Sequence, residues 1–118
     1  GEISQATAAV FGGSVDYEMI WGAPPVINDN NMAVLAAKAA QKVLGEDNVI
    51  TELPAPNMGG EDFAYYLEEL PGAFMFLSSS NPAKGTDVAH HNPKFNVDED
   101  VLWEGAAVFV AVVEEFLK

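Results

Sequence analysis

The sequence predicts an α/β protein, on three observations. Segments with apolar residues at helical spacing alternate with short runs of strand character. Glycine and proline stand at nearly every boundary between them. The composition, 49% hydrophobic and 19% charged, is that of a packed domain and not of a disordered acidic tail.

The elements follow in order. Ile3, Ala6 and Val10 recur at helical spacing as far as Phe11, and Gly12-Gly13 supplies the flexible end a helix C-terminus favours. Val15, Tyr17 and Met19 alternate with Asp16, Glu18 and Ile20, which predicts a strand. Pro24-Pro25 cannot feed a central ladder, so residues 22 to 28 read as a connector between two units. Asn28 to Asn31 offer N-caps to a helix whose face is Met32, Leu35, Ala36, Ala39, Val43 and Leu44, closed by Gly45. Val49 to Leu53 is a second candidate strand, followed by the loop Pro54-Ala55-Pro56-Asn57. Gly59-Gly60 then lead into a short helix with Glu61 and Asp62 in its first turn, closed by Pro71-Gly72. Ala73 to Leu77 is a compact apolar run expected to be a central strand, and Ser78 to Asp87 is a polar loop. A last helix from near Asp98 to about Leu117 is apolar almost all round, which predicts burial on more than one side.

Five lysines and no arginine stand against eighteen acids, for a formal charge of −13. Nucleic acid and anionic membrane surfaces both need clustered Lys and Arg, so neither is expected as a partner. Cations are the natural complement. The longest apolar run, Gly105 to Val113, is about nine residues against the ~20 of a membrane-spanning helix. No leader pattern stands at the start, and the expected location is cytoplasmic. With no cysteine there is neither a disulfide nor a thiolate ligand. The chain opens without Met in what reads as the middle of a helix, so a fragment or processed product is expected.

Three groups could carry chemistry. His90 and His91 are the only histidines, and imidazole is both a common metal ligand and the usual proton shuttle. Neighbours on an extended backbone point apart, so at most one would face a given site. They read either as loop surface or as a source of one ligand whose partners come from elsewhere, because no H-x-x-x-H spacing occurs. Met58-Gly59-Gly60-Glu61-Asp62-Phe63 opens a helix with free N–H groups that could take a carboxylate or an oxyanion. Glu61 and Asp62 could equally satisfy those donors themselves. The acidic pairs and runs at Glu68-Glu69, Asp98-Glu99-Asp100 and Glu114-Glu115 read as solvated helix ends and faces. No nucleophile elbow, P-loop or dinucleotide fingerprint is present.

Pro24-Pro25-Val26-Ile27-Asn28-Asp29, the Met58 to Phe63 stretch, Pro71-Gly72-Ala73-Phe74 and the run His90-His91-Asn92-Pro93-Lys94-Phe95-Asn96-Val97-Asp98-Glu99, in this order, resemble the C-terminal part of the M20 metallopeptidase family. The branch they are most similar to is the amidohydrolases of N-acyl amino acids, hippurate and indole-acetyl amino acid conjugates. The resemblance implies the C-terminal half of a zinc-peptidase-like catalytic domain, helices on a mixed sheet, over residues 26–118. Residues 1–25 would be the last helix and strand of an α/β lid or dimerisation domain. It implies that His91, two residues before Pro93, is a metal ligand, and that Gly59, Gly60 and Glu61 border the substrate. His90 matches a position that does not bind metal.

The implied reaction is metal-dependent hydrolysis of an amide bond in N-acyl amino acids or small peptides by a longer parent holding two divalent ions, zinc or manganese. The general-base Glu and the other ligands would lie upstream, so the chain alone is expected to be inactive, with at most weak single-ligand metal binding. Expected partners are the small acylated substrate, the missing N-terminal half of the same protein and further copies of the chain. A non-catalytic acidic interaction module derived from such an enzyme is the alternative.

Overall fold

The computed structural model describes all of residues 1–118. It contains four α-helices, α1 (Glu2–Val10), α2 (Asn30–Leu44), α3 (Ala64–Glu69) and α4 (Leu102–Phe116), with short 3₁₀ turns at Glu46–Asn48, Pro82–Lys84 and Glu99–Val101. The centre of the fold is the packing of α2 on α4. Buried Ala36, Ala39 and Ala40 meet a face carrying buried Val108 and Ala111. The i, i+3, i+4 spacing of the alanines puts three small side chains on one stripe, which lets the two helices approach closely.

The caps foreseen from the sequence form. Asp29 Oδ1 accepts the amides of Asn31 at 2.9 Å and Met32 at 3.0 Å, which fixes where α2 starts. α1 ends in a Schellman arrangement: the Gly13 amide reaches the Ala8 carbonyl at 2.9 Å and the Gly12 amide the Ala9 carbonyl at 3.0 Å. Gly12 takes φ +71° there, a conformation that a side chain would strain.

The mixed sheet does not form within this chain. The candidate strands at 15–20, 49–53 and 73–77 are irregular, and there is no β-strand anywhere in the structure. A strand is stabilised by ladder hydrogen bonds to a neighbour, and none of the three segments lies beside another with its backbone groups paired. What holds 73–77 is side-chain chemistry. The amide of Asn28 bonds both backbone groups of Phe74, and the Phe74 ring packs on Phe63 at 5.4 Å and on Phe76 at 5.1 Å. On α4, Gly105 leaves room for Leu77, whose Cδ2 would lie 3.3 Å from an added Cβ.

The apolar circumference of α4 is also not covered on more than one side. Leu102, Trp103, Phe109, Val110, Val113 and Phe116 are exposed, because α2 is the one helix that packs against it. α1 has no buried residue and packs on no other helix; residues 15–18 run beside it, with the Tyr17 ring over Gly1. No large side chain is fully buried. The chain therefore gains few of the ~1.5–3 kcal/mol contributions that burying a Leu or Phe supplies. Its radius of gyration is 20.5 Å, against about 13–14 Å for a compact domain of this length. Its accessible surface is 9739 Å², against roughly 6,200 Å² for a compact monomer of this mass.

Candidate functional site

His90 and His91 sit in a turn closed by the Asn92 amide on the Ala89 carbonyl at 3.4 Å. The two imidazoles have different surroundings. His90 stands edge-on against Phe95, centroids 4.9 Å apart at 85°, so its ring is engaged in packing. His91 is exposed, makes no hydrogen bond, and is the single non-glycine residue with positive φ, +64°. Histidine is among the few non-glycine residue types enriched in this region. Asn92 stiffens the following bend, its Oδ1 accepting the Lys94 amide at 2.9 Å and its carbonyl the Phe95 amide at 2.9 Å.

Gly59, Gly60 and Glu61 lie before α3, which starts at Ala64 and not at the two acids. The Gly59 amide is taken by Asn57 Oδ1 at 2.8 Å, and the Phe63 amide by Glu61 Oε1 at 3.2 Å. Glu61 thus partly satisfies the helix entrance itself, while the amides of Gly60, Glu61 and Asp62 have no partner in the chain. No hydrogen bond, ion pair or ring contact joins this stretch to His91. The structure brings the two candidate groups into no shared constellation.

Two acids read as solvated from the sequence are not. Asp98 is 5% exposed and accepts Lys84 Nζ at 2.6 Å, Asn81 Nδ2 at 2.7 Å and the Asp100 amide at 3.1 Å. The Lys84 ammonium, then the Asn81 amide, hold its carboxyl below the usual range in spite of desolvation. Lys84 is raised in turn, first by Asp100 and then by Asp98. Glu115 gathers Lys118 at 2.8 Å, Lys38 at 2.8 Å and Lys42, and these ammonium groups hold its carboxyl far below the ordinary value. This cluster ties α2 to the end of α4. The legible signal for Asp98 was Asn81-Pro82, an N-cap beside a proline, with Lys84 two residues on.

No three His, Asp or Glu side chains converge where they could hold a metal ion. A divalent ion needs three or four such donors, so no metal site is complete within this chain. No helix is long and apolar enough to cross a membrane.

One family model matches the chain. The description Peptidase family M20/M25/M40 matches residues 3–115. The chain is 33% identical over 95 residues to IAA-amino acid hydrolase ILR1-like 2 of Arabidopsis thaliana, covering 80% of this chain and 21% of that protein. It is 37% identical over 102 residues to N-acetyl-L-cysteine deacetylase of Bacillus subtilis, covering 85% of this chain and 22% of that protein. Thermostable carboxypeptidase 2 of Saccharolobus solfataricus is 31% identical over 114 residues, 97% of this chain and 28% of that protein. No solved structure gives a significant match. The chain spans between 21% and 28% of the length of these three relatives. Matched from Ile3 to Glu115, through the helix pair, the Gly59-Gly60 stretch and the His91 turn alike, this chain belongs to the M20 peptidase family of hydrolases.

Proposed function

We propose that the chain is the C-terminal segment of an enzyme that hydrolyses the amide bond of N-acyl amino acids or small peptides, and that His91 is its contribution to a metal centre completed by residues outside these 118. The observation that carries the reading is the His91 imidazole. It is exposed, unbonded and displayed by a left-handed residue, whereas the adjacent His90 is packed on Phe95. Family membership and the names of the relatives, a deacetylase, an IAA-amino acid hydrolase and a carboxypeptidase, support the reaction class.

In this reading His91 would be one of the residues holding two divalent ions, zinc or manganese, which would supply Lewis-acid activation of the scissile carbonyl and of water. The chain's own residues do simpler things. His91 presents a ring nitrogen. The free amides of Gly60 and Glu61 point positive dipole ends at the substrate carboxylate, with Gly59 shaping the approach. Residues 1–25 belong to the lid or dimerisation unit, a division supported by the isolation of α1 from the other helices. The remaining ligands and the general base come from the rest of the protein, so the chain alone is inactive. The cytoplasm is its proposed location.

The test is the full-length protein with His91→Asn, assayed on N-acetyl amino acids and for bound metal by elemental analysis. Loss of at least 100-fold in kcat together with lowered metal content is the expected result; unchanged metal content and turnover overturn the assignment. The large exposed apolar surface favours a second reading, a non-catalytic interaction module. A full-length wild-type protein that binds no metal and turns over no N-acyl amino acid or peptide would select it.

A further inference from the structure

Thr86 and Asp98 are the only buried polar residues in the chain, each 5% exposed, and they are the two ends of the segment that carries His91. One carbonyl joins them. Ser79 C=O accepts the Thr86 hydroxyl at 2.9 Å and the Asp98 amide at 3.3 Å. Asn81 and Lys84 complete the base. The Asn81 amide donates to Thr86 Oγ1 at 3.0 Å, its carbonyl accepts the Thr86 amide at 3.1 Å, and its side chain reaches Asp98 at 2.7 Å, while Lys84 reaches Asp98 at 2.6 Å.

Between these ends, every hydrogen bond and ring contact of residues 87–97 is internal: Asn92 to Ala89, Phe95 and Lys94 to Asn92, His90 on Phe95. The loop is thus stiffened by bonds of its own, and its hydrogen-bonded attachment to the rest of the chain is at its base. A buried carboxylate and a buried hydroxyl, both fully bonded, make a base that is costly to open, because a freed group there would be left without a partner.

We propose that Thr86 and Asp98, clamped on the Ser79 carbonyl, are positioning residues that set where the His91 imidazole is delivered. The inference rests on the reading of His91 as the functional residue. A ligand displaced by about 1 Å is enough to cost ~100-fold in rate, so the clamp acts on turnover more than on substrate affinity.

The experiment uses the full-length protein with Thr86→Val, Thr86→Ser and, as a control that loosens α2 from α4 without touching the loop, Glu115→Gln. Amide hydrogen exchange of peptides spanning 87–97 is measured beside kcat and KM. Thr86→Val is expected to raise exchange in that span at least 5-fold and to lower kcat at least 10-fold with KM within 3-fold. Thr86→Ser is expected to restore both, and Glu115→Gln to leave both unchanged. Unchanged exchange in Thr86→Val overturns the proposal, as does raised exchange with wild-type kcat. Equal loss of kcat in Glu115→Gln overturns it too, since the effect would then follow general stability. If the wild-type protein hydrolyses no N-acyl substrate, the functional reading falls instead, and the exchange of 87–97 alone decides whether the clamp governs the loop.

Discussion

The side-chain amide of Asn28 stands in for a neighbouring strand along Phe74. Its Nδ2 donates to the Phe74 carbonyl at 3.1 Å and its Oδ1 accepts the Phe74 amide at 2.8 Å, while the next residue, Asp29, donates its own amide to the Gly72 carbonyl at 2.9 Å. One side chain thus satisfies both backbone groups of a residue that would otherwise need a ladder. Asn28→Ala is expected to lower stability by about 1 kcal/mol, two solvent-exposed bonds at the low end of their usual contribution. Asn28→Asp, which keeps the acceptor and loses the donor, should fall between. Urea denaturation of the three proteins checks the order.

Asp29 caps α2 through two amides. Asp29→Ala should cost about 1 kcal/mol and Asp29→Ser much less, since a hydroxyl oxygen can serve the same donors. Equal midpoints for the two variants would remove the cap from the account of α2.

Acid and alkali act on the two ion clusters with opposite sign. Glu115 and Asp98 have carboxyls held below their ordinary values of 4.5 and 3.8. Their stabilisation is therefore present above those values and lost as pH falls below them towards the folded pKa. Lys84 and Lys118 are raised above 10.5, so their share is present below that value and is lost as pH rises beyond it. Between about pH 5 and 10 these groups contribute no slope. Glu115→Gln should flatten the acid limb of a stability profile measured by thermal melting. A limb that keeps its wild-type steepness would show that Glu115 is not its source.

Positive φ at His91 lets the part played by its side chain be separated from that of its backbone. Asparagine tolerates the left-handed region, whereas valine pays the steric penalty of about 1–2 kcal/mol or more. His91→Asn should therefore melt within about 2 °C of the wild type, and His91→Val clearly below it, in paired thermal scans; a single small shift of about 1 kcal/mol moves a domain of this size by roughly 4–8 °C. Reversal of that order would mean the turn is not held as described.

The exposed face of α4 and a charge of −13 pull in opposite directions on self-association. Apolar area favours it and like charge opposes it, the second being screened as the Debye length falls from about 30 Å at 0.01 M to 3 Å at 1 M salt. Sedimentation of this chain should show larger species at 0.5 M than at 0.02 M NaCl. A monomer at both concentrations would rule out homo-oligomers as partners.

What was legible in the sequence was the part decided locally. Gly12-Gly13, Asp29 and Gly45 mark their helices because a cap depends on the few residues around it. The strands at 15–20, 49–53 and 73–77 were not decided locally: alternation shows that a segment suits a sheet, while a strand exists only beside a partner. The same holds for the acids. Asp98 in a helix-start pattern looks solvated until Lys84, fourteen residues earlier, folds onto it, and Glu115 until two lysines of α2 arrive. His91 stood out by type, but what distinguishes it from His90, positive φ against a ring packed on Phe95, is visible only in three dimensions.

The two ion clusters also shape the field the protein projects into solution. Glu115 and the Asp98–Asp100 pair neutralise Lys38, Lys42, Lys118 and Lys84 at short range, which leaves Lys94 as the one lysine without a carboxylate partner. That lysine stands three residues from His91. Beyond a few ångströms, the segment is an almost unbroken negative source that accelerates the approach of divalent cations and retards that of carboxylate anions. Lys94, outside both clusters, is its single local exception.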